Sequence, residues 1–203
     1  MTFHTRAFLL SCAALLGAQL IAAQSVEVFG GYFVANMRPE NSSLNRTTMN
    51  GWNTSVTGYP TSRLGFTADF TGSYANVRPP SSVSSNAAAA SLSDVGIHQY
   101  SYMAGPQIRL IRKERFETSV KALFGAARGY VPDGSLPAGS TFAFNSLDQT
   151  AFAAQVGSNF DVNVSRRMAI RFSPGLYLTQ FGDETQKNFR FSVGPVFRFG
   201  GGE

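Results

Sequence analysis

His98 is the side chain in this sequence best suited to acid–base chemistry, because histidine titrates near neutral pH. Ser101 follows it and Asp94 precedes it, so the reaction to consider is nucleophilic attack by a histidine-activated serine. Along a strand, however, a separation of three residues sends two side chains to opposite faces. We therefore expect His98 to lie at the rim of an aromatic surface, and we predict no catalytic residue.

Cysteine is confined to the start of the chain, where residues 1–23 fit a secretory signal peptide. Arg6 gives a short basic start, residues 7–16 form the apolar run, and small residues precede a cleavage point before Gln24. A transmembrane anchor is the alternative, but residues 17–19 dilute the apolar run. Lipid attachment at Cys12 would need a longer apolar stretch before it.

Cleavage would leave residues 24–203 as one domain without cysteine and with His98 as its single histidine. Such a domain has no disulfide, no thiol nucleophile and no cysteine–metal site. We therefore expect neither a metal site nor a cofactor.

The chain carries a formal net charge of +5 and a pI near 9.7. A basic balance can indicate nucleic-acid binding, but that requires a clustered patch, and here the basic residues are scattered along the sequence. We expect no nucleic-acid partner.

The stretch 188–200 shows the element type that must position the charged residues. Apolar and polar residues alternate through it, which puts Phe189, Phe191, Phe197 and Phe199 on one face of a strand and arginines on the other. The same alternation, with turn-forming residues between segments, predicts eight strands, at 26–37, 51–59, 63–74, 95–110, 116–127, 150–161, 168–179 and 188–200.

The connections between these segments alternate in length, with the longer ones at 38–49, 75–94, 128–148 and 180–187. After the signal region no apolar run is long enough for a transmembrane helix. The pattern predicts an all-β fold: an eight-stranded antiparallel up-and-down transmembrane β-barrel in the bacterial outer membrane, with both termini periplasmic. A soluble lipocalin-like barrel is the rival, but its outer face should be rich in charge, whereas here the non-aromatic faces carry mainly Gly, Ser, Thr and Ala.

Charged residues on those small-residue faces should pair inside the barrel, because buried ions persist only with partners. Four acids face four bases, with Arg190 placed above them nearer the long loops. The predicted lumen network is Glu27, Asp69, Arg109, Glu117, Lys121, Asp161, Arg171, Arg190 and Arg198. On the opposite faces, two aromatic girdles are predicted: Trp52, Tyr74, Tyr100 and Tyr102 near the outer rim, and Phe116, Phe160 and Phe199 near the inner one.

Four stretches, VEVFGGYF, RLGFTADFTGSY, KALFGAAR and FRFSVGPVFRFG, make the chain resemble the small OmpA-type outer-membrane barrels, OmpX-like proteins included. The resemblance covers residues 24–203, although the Gly-Gly-Gly-Glu ending departs from the terminal aromatic residue common in that family. It implies a non-enzymatic, monomeric barrel of a Gram-negative cell envelope with a structural or surface-interaction role. Its implied partners are outer-membrane lipid, lipopolysaccharide and, during biogenesis, the barrel assembly machinery.

Two other functions stay open. The lumen charges could line a small porin-like channel, or the barrel could resemble the lipid A-modifying enzymes that share this architecture. Loops 38–49, 75–94 and 128–148 could contact surface partners or simply be solvated.

Overall fold

A computed structural model describes residues 25–37, 47–77, 95–130, 150–181 and 184–200. The predicted signal peptide, Cys12, Asp94 and the final three residues lie outside these ranges. The described residues form eight strands: β1 Ser25–Met37, β2 Thr47–Tyr59, β3 Leu64–Val77, β4 Val95–Arg112, β5 Phe116–Tyr130, β6 Thr150–Asn163, β7 Met168–Phe181 and β8 Glu184–Gly200.

The strands pair antiparallel in sequence order and close into a barrel, because β1 also pairs with β8. Closure pairs every edge, which lipid requires since it offers no hydrogen bonds to an open strand. The predicted all-β, eight-stranded up-and-down barrel is thereby confirmed. Within the described ranges no helix could cross a membrane.

The strand prediction is least accurate at 180–187, where it expects a loop. Here β7 and β8 run on as a paired hairpin up to Phe181 and Glu184, which leaves two residues between them. This polar stretch has no alternating apolar face, so its strand character was invisible in the sequence. For the same reason β2 begins at Thr47 rather than at residue 51.

Most of the large apolar side chains of the barrel point outward. Val156, Leu176 and Phe199 are each exposed by close to three-fifths of their surface. A soluble protein rarely exposes so many large apolar groups in one contiguous surface, whereas a wall in contact with lipid does. The orientation is the reverse of a lipocalin-like carrier, whose apolar faces point inward.

The first strand does not separate apolar from polar residues by face. Glu27, Phe29 and Phe33 all point inward and are almost fully buried, while Tyr32 points outward. Two aromatic rings therefore share the lumen face with a carboxylate, so apolar character does not mark the outer face of β1.

The two ends of the barrel differ. The terminal end, as we call it, holds Ser25, Gly200 and three short turns at residues 60–63, 113–115 and 164–167. At the distal end the strands are connected through residues 38–46, 78–94, 131–149 and 182–183.

Strands β1 and β8 approach closely along the seam that closes the barrel. A Cβ added at Gly31 would meet the carbonyl oxygen of Val193, and one added at Gly194 would meet that of Gly30. Any side chain there would force the two backbones apart.

Candidate functional site: the charged lumen

Six charged side chains form a terminal-end cluster inside the barrel, with Glu27 at its centre. Arg109 Nη2 donates to Glu27 Oε1 at 2.9 Å, and Arg171 Nη2 donates to Glu27 Oε2 at 2.6 Å. Arg198 Nε reaches Glu27 Oε1 at 3.2 Å. One carboxylate therefore binds three guanidinium groups, which come from β4, β7 and β8.

Two further acids complete this cluster. Arg171 grips Asp161 through both Nε and Nη2, each at 2.7 Å, and Arg198 Nη2 donates to Asp161 at 2.9 Å. Glu117 accepts from Arg109 Nε and lies 3.6 Å from Arg198. Paired guanidiniums and carboxylates with this many hydrogen bonds are the form in which ions are tolerated in a buried interior.

Local strand geometry sets these contacts up. Glu27 and Arg198 are register partners across the seam, as are Asp161 and Arg171 across β6 and β7. Alternation turns all four side chains inward, and barrel closure then brings the two pairs together.

A neutral polar layer lies next to the terminal-end cluster. Tyr59 stacks on the guanidinium of Arg109, with 3.8 Å from Cζ to the ring centroid, and its hydroxyl accepts from Gln107 Nε2. Gln107 Oε1 in turn accepts from Thr67 at 3.0 Å and from Asn159 at 3.2 Å. The layer joins β2, β3, β4 and β6 and leaves few polar atoms without partners.

The distal cluster lies beyond this layer and is centred on Asp69. Arg190 Nη2 donates to Asp69 Oδ1 at 2.9 Å and to Thr71 Oγ1 at 2.7 Å. Lys121 Nζ is 3.6 Å from Asp69 Oδ2, and Asn53 Nδ2 donates to Asp69 Oδ1 at 3.0 Å. All five side chains are almost fully buried.

The nine predicted lumen charges all face inward, in two groups. Glu27, Glu117 and Asp161 face Arg109, Arg171 and Arg198, whereas Asp69 faces both Lys121 and Arg190. The sequence predicts four acids paired with four bases and Arg190 outside this network. The structure differs, because Arg190 binds Asp69 directly and the distal cluster therefore carries one extra positive charge.

Above Arg190 a small cavity, partly open to solvent, lies at the distal end of the lumen. Phe33 and Tyr177 line it, and the Arg190 guanidinium lies 4.9 Å from the ring of Phe33. Below this cavity, buried side chains occupy the lumen.

The acids of the terminal-end cluster also have the spacing of a metal site. Oxygens of Glu27, Glu117 and Asp161 lie within 4.8 Å of one another. Three arginines already occupy the space and neutralise the charge between them, so the arrangement fits an ion-pair network better than a cation.

Outward-facing aromatics form a connected group around Tyr74 on the distal half of β2, β3 and β4. Trp52 Nε1 donates to the Tyr74 hydroxyl at 3.3 Å, and the Tyr74 ring packs edge-on against His98 at 4.9 Å and Tyr100 at 6.5 Å. Tyr102 lies lower, beside Phe70 at mid-strand.

The other three predicted girdle residues, Phe116, Phe160 and Phe199, face outward in the terminal half of the wall. Ser101 is buried in the lumen whereas His98 packs on the outer wall, so the two lie on opposite sides of the sheet. Neither is placed to act on the other.

The predicted lumen network names only charged residues, whereas uncharged side chains also fill the lumen. These are Phe29, Phe33, Asn53, Tyr59, Gln107, Gln155, Asn159 and Tyr177. Alternation places six of them on the lumen face, because each lies an even number of residues from a charged lumen residue on its own strand. Strand β2 carries no residue of the predicted network, so Asn53 and Tyr59 could not be placed in this way.

No protein-family model matches the chain, and no curated protein is significantly similar to it. Solved structures do match. Ail, the attachment invasion locus protein of Yersinia pestis, is 15% identical with a TM-score of 0.55, over 86% of this chain and 98% of Ail. Neisserial surface protein A is 16% identical with a TM-score of 0.60, over 86% and 97%. OprG from Pseudomonas aeruginosa is 10% identical with a TM-score of 0.51, over 88% and 97%.

At such identities the likeness concerns the fold. The fold is that of the small eight-stranded transmembrane β-barrels of the bacterial outer membrane, which confirms the predicted resemblance to OmpA-type and OmpX-like barrels at that level.

Proposed function

We propose that this protein is an integral outer-membrane barrel that acts through its structure and its surface contacts, and that it neither conducts solutes nor catalyses a reaction. The observation that carries the proposal is the lumen: two buried ion-pair clusters with a neutral polar layer between them. Eight strands leave an interior just wide enough for side chains, and here side chains fill it.

Membrane location is supported by the apolar outer wall and by the fold shared with outer-membrane barrels. We place both termini in the periplasm, because barrels of this class put short turns on the periplasmic side and longer connections outside. The three short turns and the described termini share one end of this barrel.

Surface contact belongs to the distal end, whose connecting segments 38–46, 78–94 and 131–149 are the longest between described strands. A neighbour in fold, Ail, bears the name of an attachment protein and has been solved with a heparin analogue. For this chain we propose lipopolysaccharide or another component outside the cell as the contact, with the barrel as a monomeric anchor inserted by the assembly machinery.

The test of membrane location uses two valines that are equally exposed, at 60% each. Val156 lies at mid-wall opposite Ala122 and Leu176, whereas Val164 lies in a turn at the terminal end. In lipid, Val156→Lys should lower the free energy of unfolding by about 2–4 kcal/mol, and Val164→Lys should lower it by at most about 1 kcal/mol. If urea unfolding of the reconstituted protein gives the two variants equal stability, the wall does not face hydrocarbon.

The test of a closed lumen is single-channel recording in planar bilayers, after an unboiled-versus-boiled gel shift shows that the barrel is folded. We expect no stepwise conductance from the wild type. Steady conductance that falls when Lys121 or Arg171 is neutralised would establish the porin-like alternative instead.

The test of catalysis is the acylation pattern of lipid A in cells that express the protein. We expect it to be unchanged, and equally so for His98→Ala, because His98 packs on Tyr74 and faces away from Ser101. An altered pattern that His98→Ala abolishes would establish the enzyme reading.

A further inference from the structure

The three short turns at the terminal end carry a concentration of exposed positive charge. Six exposed cations lie in these turns or beside them, against one exposed acid, Glu114. We call this set the basic rim; its members are Arg63, Arg112, Lys113, Arg115, Arg166 and Arg167. In the sequence these residues fall in three separate places, and only the up-and-down fold brings them to one end.

Hydrogen bonds from neighbouring strands hold the turns in place. The backbone carbonyls of Arg63, Arg115 and Arg167 each accept a bond, at 2.8 or 2.9 Å, from the strand that follows next around the barrel. Each of these residues is the last before a new strand. These bonds hold the backbone of each turn against a neighbouring strand, so the positions from which the cations project are set by the barrel.

The lumen reinforces this arrangement. Arg109 Nη1 donates to the carbonyl of Ser62 at 2.9 Å, which ties the first turn to the terminal-end cluster. Asn163 Nδ2 donates to the carbonyls of Lys113 and Glu114, and Arg198 Nη1 donates to Asn163 Oδ1 at 2.6 Å.

The rim begins where the apolar wall ends. Leu64 directly follows Arg63, Phe116 directly follows Arg115, and Ile111 directly precedes Arg112; all three apolar side chains are exposed on the outside. A cation one residue beyond a lipid-facing side chain lies at the level of lipid headgroups, and its apolar stem can rest along the hydrocarbon boundary. Clusters of several cations at such a boundary favour anionic lipid.

We infer that the basic rim binds the phosphate groups of anionic phospholipids in the leaflet at the terminal end. The inference rests on the proposed membrane location and adds to it a lipid class and a leaflet. A surface that bound a polymer beyond the membrane would not need its cations set directly against the apolar wall, which is why a lipid is the partner we commit to.

The experiment compares two charge-matched double variants of the full barrel. Arg115→Gln with Arg167→Gln removes two rim cations and keeps the backbone bonds, whereas Arg128→Gln with Lys187→Gln removes two exposed cations from the distal half. Folded protein is released from micelles doped with equal amounts of phosphatidylglycerol and phosphatidylcholine of identical chains. Native mass spectrometry then gives the ratio of the two bound lipids.

We expect the wild type and the distal variant to prefer phosphatidylglycerol, and the rim variant to lose about fivefold or more of that preference. Equal binding of both lipids by the wild type, or equal loss in both variants, would overturn the inference. Purified peptidoglycan that sediments with the wild type but not with the rim variant, while the lipid ratio is unchanged, would overturn it too and assign the rim to the cell wall.

These outcomes separate the inference from the proposed function. If the gel shift is absent, or if Val156→Lys and Val164→Lys are equally stable, the proposed membrane location is contradicted. A barrel that passes those tests and shows no lipid preference would remove the basic rim's role alone.

Discussion

Arg190 on β8 and Asp69 on β3 meet across the lumen through an Nη2–Oδ1 bond of 2.9 Å. Lys121 on β5 approaches the other oxygen of the same carboxylate at 3.6 Å. A single carboxylate thus binds two cations from different strands. Removal of Asp69 and removal of one of its cations should therefore affect stability differently.

Loss of the acid should cost more than loss of a cation in the distal cluster. Asp69→Asn leaves Lys121 and Arg190 buried without their shared carboxylate, and we expect a loss of about 3–5 kcal/mol. Arg190→Met leaves a charge-balanced Asp69–Lys121 pair. We therefore expect the free energy of unfolding to fall by only about 1–3 kcal/mol, mainly from lost hydrogen bonds. Urea unfolding, followed by the fluorescence of Trp52, measures the free energy of unfolding of both variants. A larger loss of stability in Arg190→Met than in Asp69→Asn would mean that the shared carboxylate is not the main source of stability in the distal cluster.

The two clusters should block the lumen independently. Removal of one charge-balanced pair, either Asp161→Ser with Arg171→Ser or Asp69→Ser with Arg190→Ser, leaves the other cluster in place, and we expect a silent bilayer. All four changes together should open a hydrated path and give stepwise conductance, because water and ions need a continuous route. The gel shift controls for folding, and full conductance in either pair alone would contradict two blocks in series.

The seam should tolerate a methyl group at one glycine and not at its neighbour. Gly30→Ala places its Cβ in open space and should change stability by at most about 0.5 kcal/mol. Gly31→Ala meets the Val193 carbonyl and the Phe29 ring, so we expect a loss of about 1–3 kcal/mol. Urea midpoints of the two variants decide the matter, and indistinguishable midpoints would show that β1 and β8 are not in close contact there.

The ring of Tyr59 should matter more than its hydroxyl. Tyr59→Phe keeps the stacking on Arg109 and loses the hydrogen bond from Gln107. We expect this variant to lose about 0.5–1.5 kcal/mol of unfolding free energy. Tyr59→Leu loses the cation–π contact as well, which adds about 2 kcal/mol at a desolvated site. If unfolding free energies of the two variants agree, the contact with the guanidinium contributes little.

The fold could largely be predicted from the sequence, because the strands of a membrane barrel alternate outward apolar residues with inward polar ones. Phe189, Phe191, Phe197 and Phe199 alternate with Arg190 and Arg198, and the structure puts the two sets on opposite faces as expected. The rule fails where both faces are polar, as in the β7–β8 hairpin near Thr185, and where aromatics point inward, as at Phe29 and Phe33 on β1.

The partners inside the lumen could not be read in the same way. Alternation says that Arg109 and Glu27 both point inward, but they lie on non-adjacent strands and meet only after the barrel closes. The same holds for the basic rim, whose members are scattered in the sequence and gathered by topology. Local pattern fixes which face a side chain occupies, whereas closure decides which neighbour it finds.

The seam between β1 and β8 joins the first described strand to the last, so synthesis order and pairing order differ at this point. Glu27 faces Arg198 across that seam, and until β8 arrives the carboxylate lacks one of its three guanidiniums. Strand β8 supplies one cation to each cluster, Arg198 to the terminal-end cluster and Arg190 to the distal cluster. A chain truncated before β8 would therefore lack two of the five lumen cations and would leave the edges of β1 and β7 unpaired.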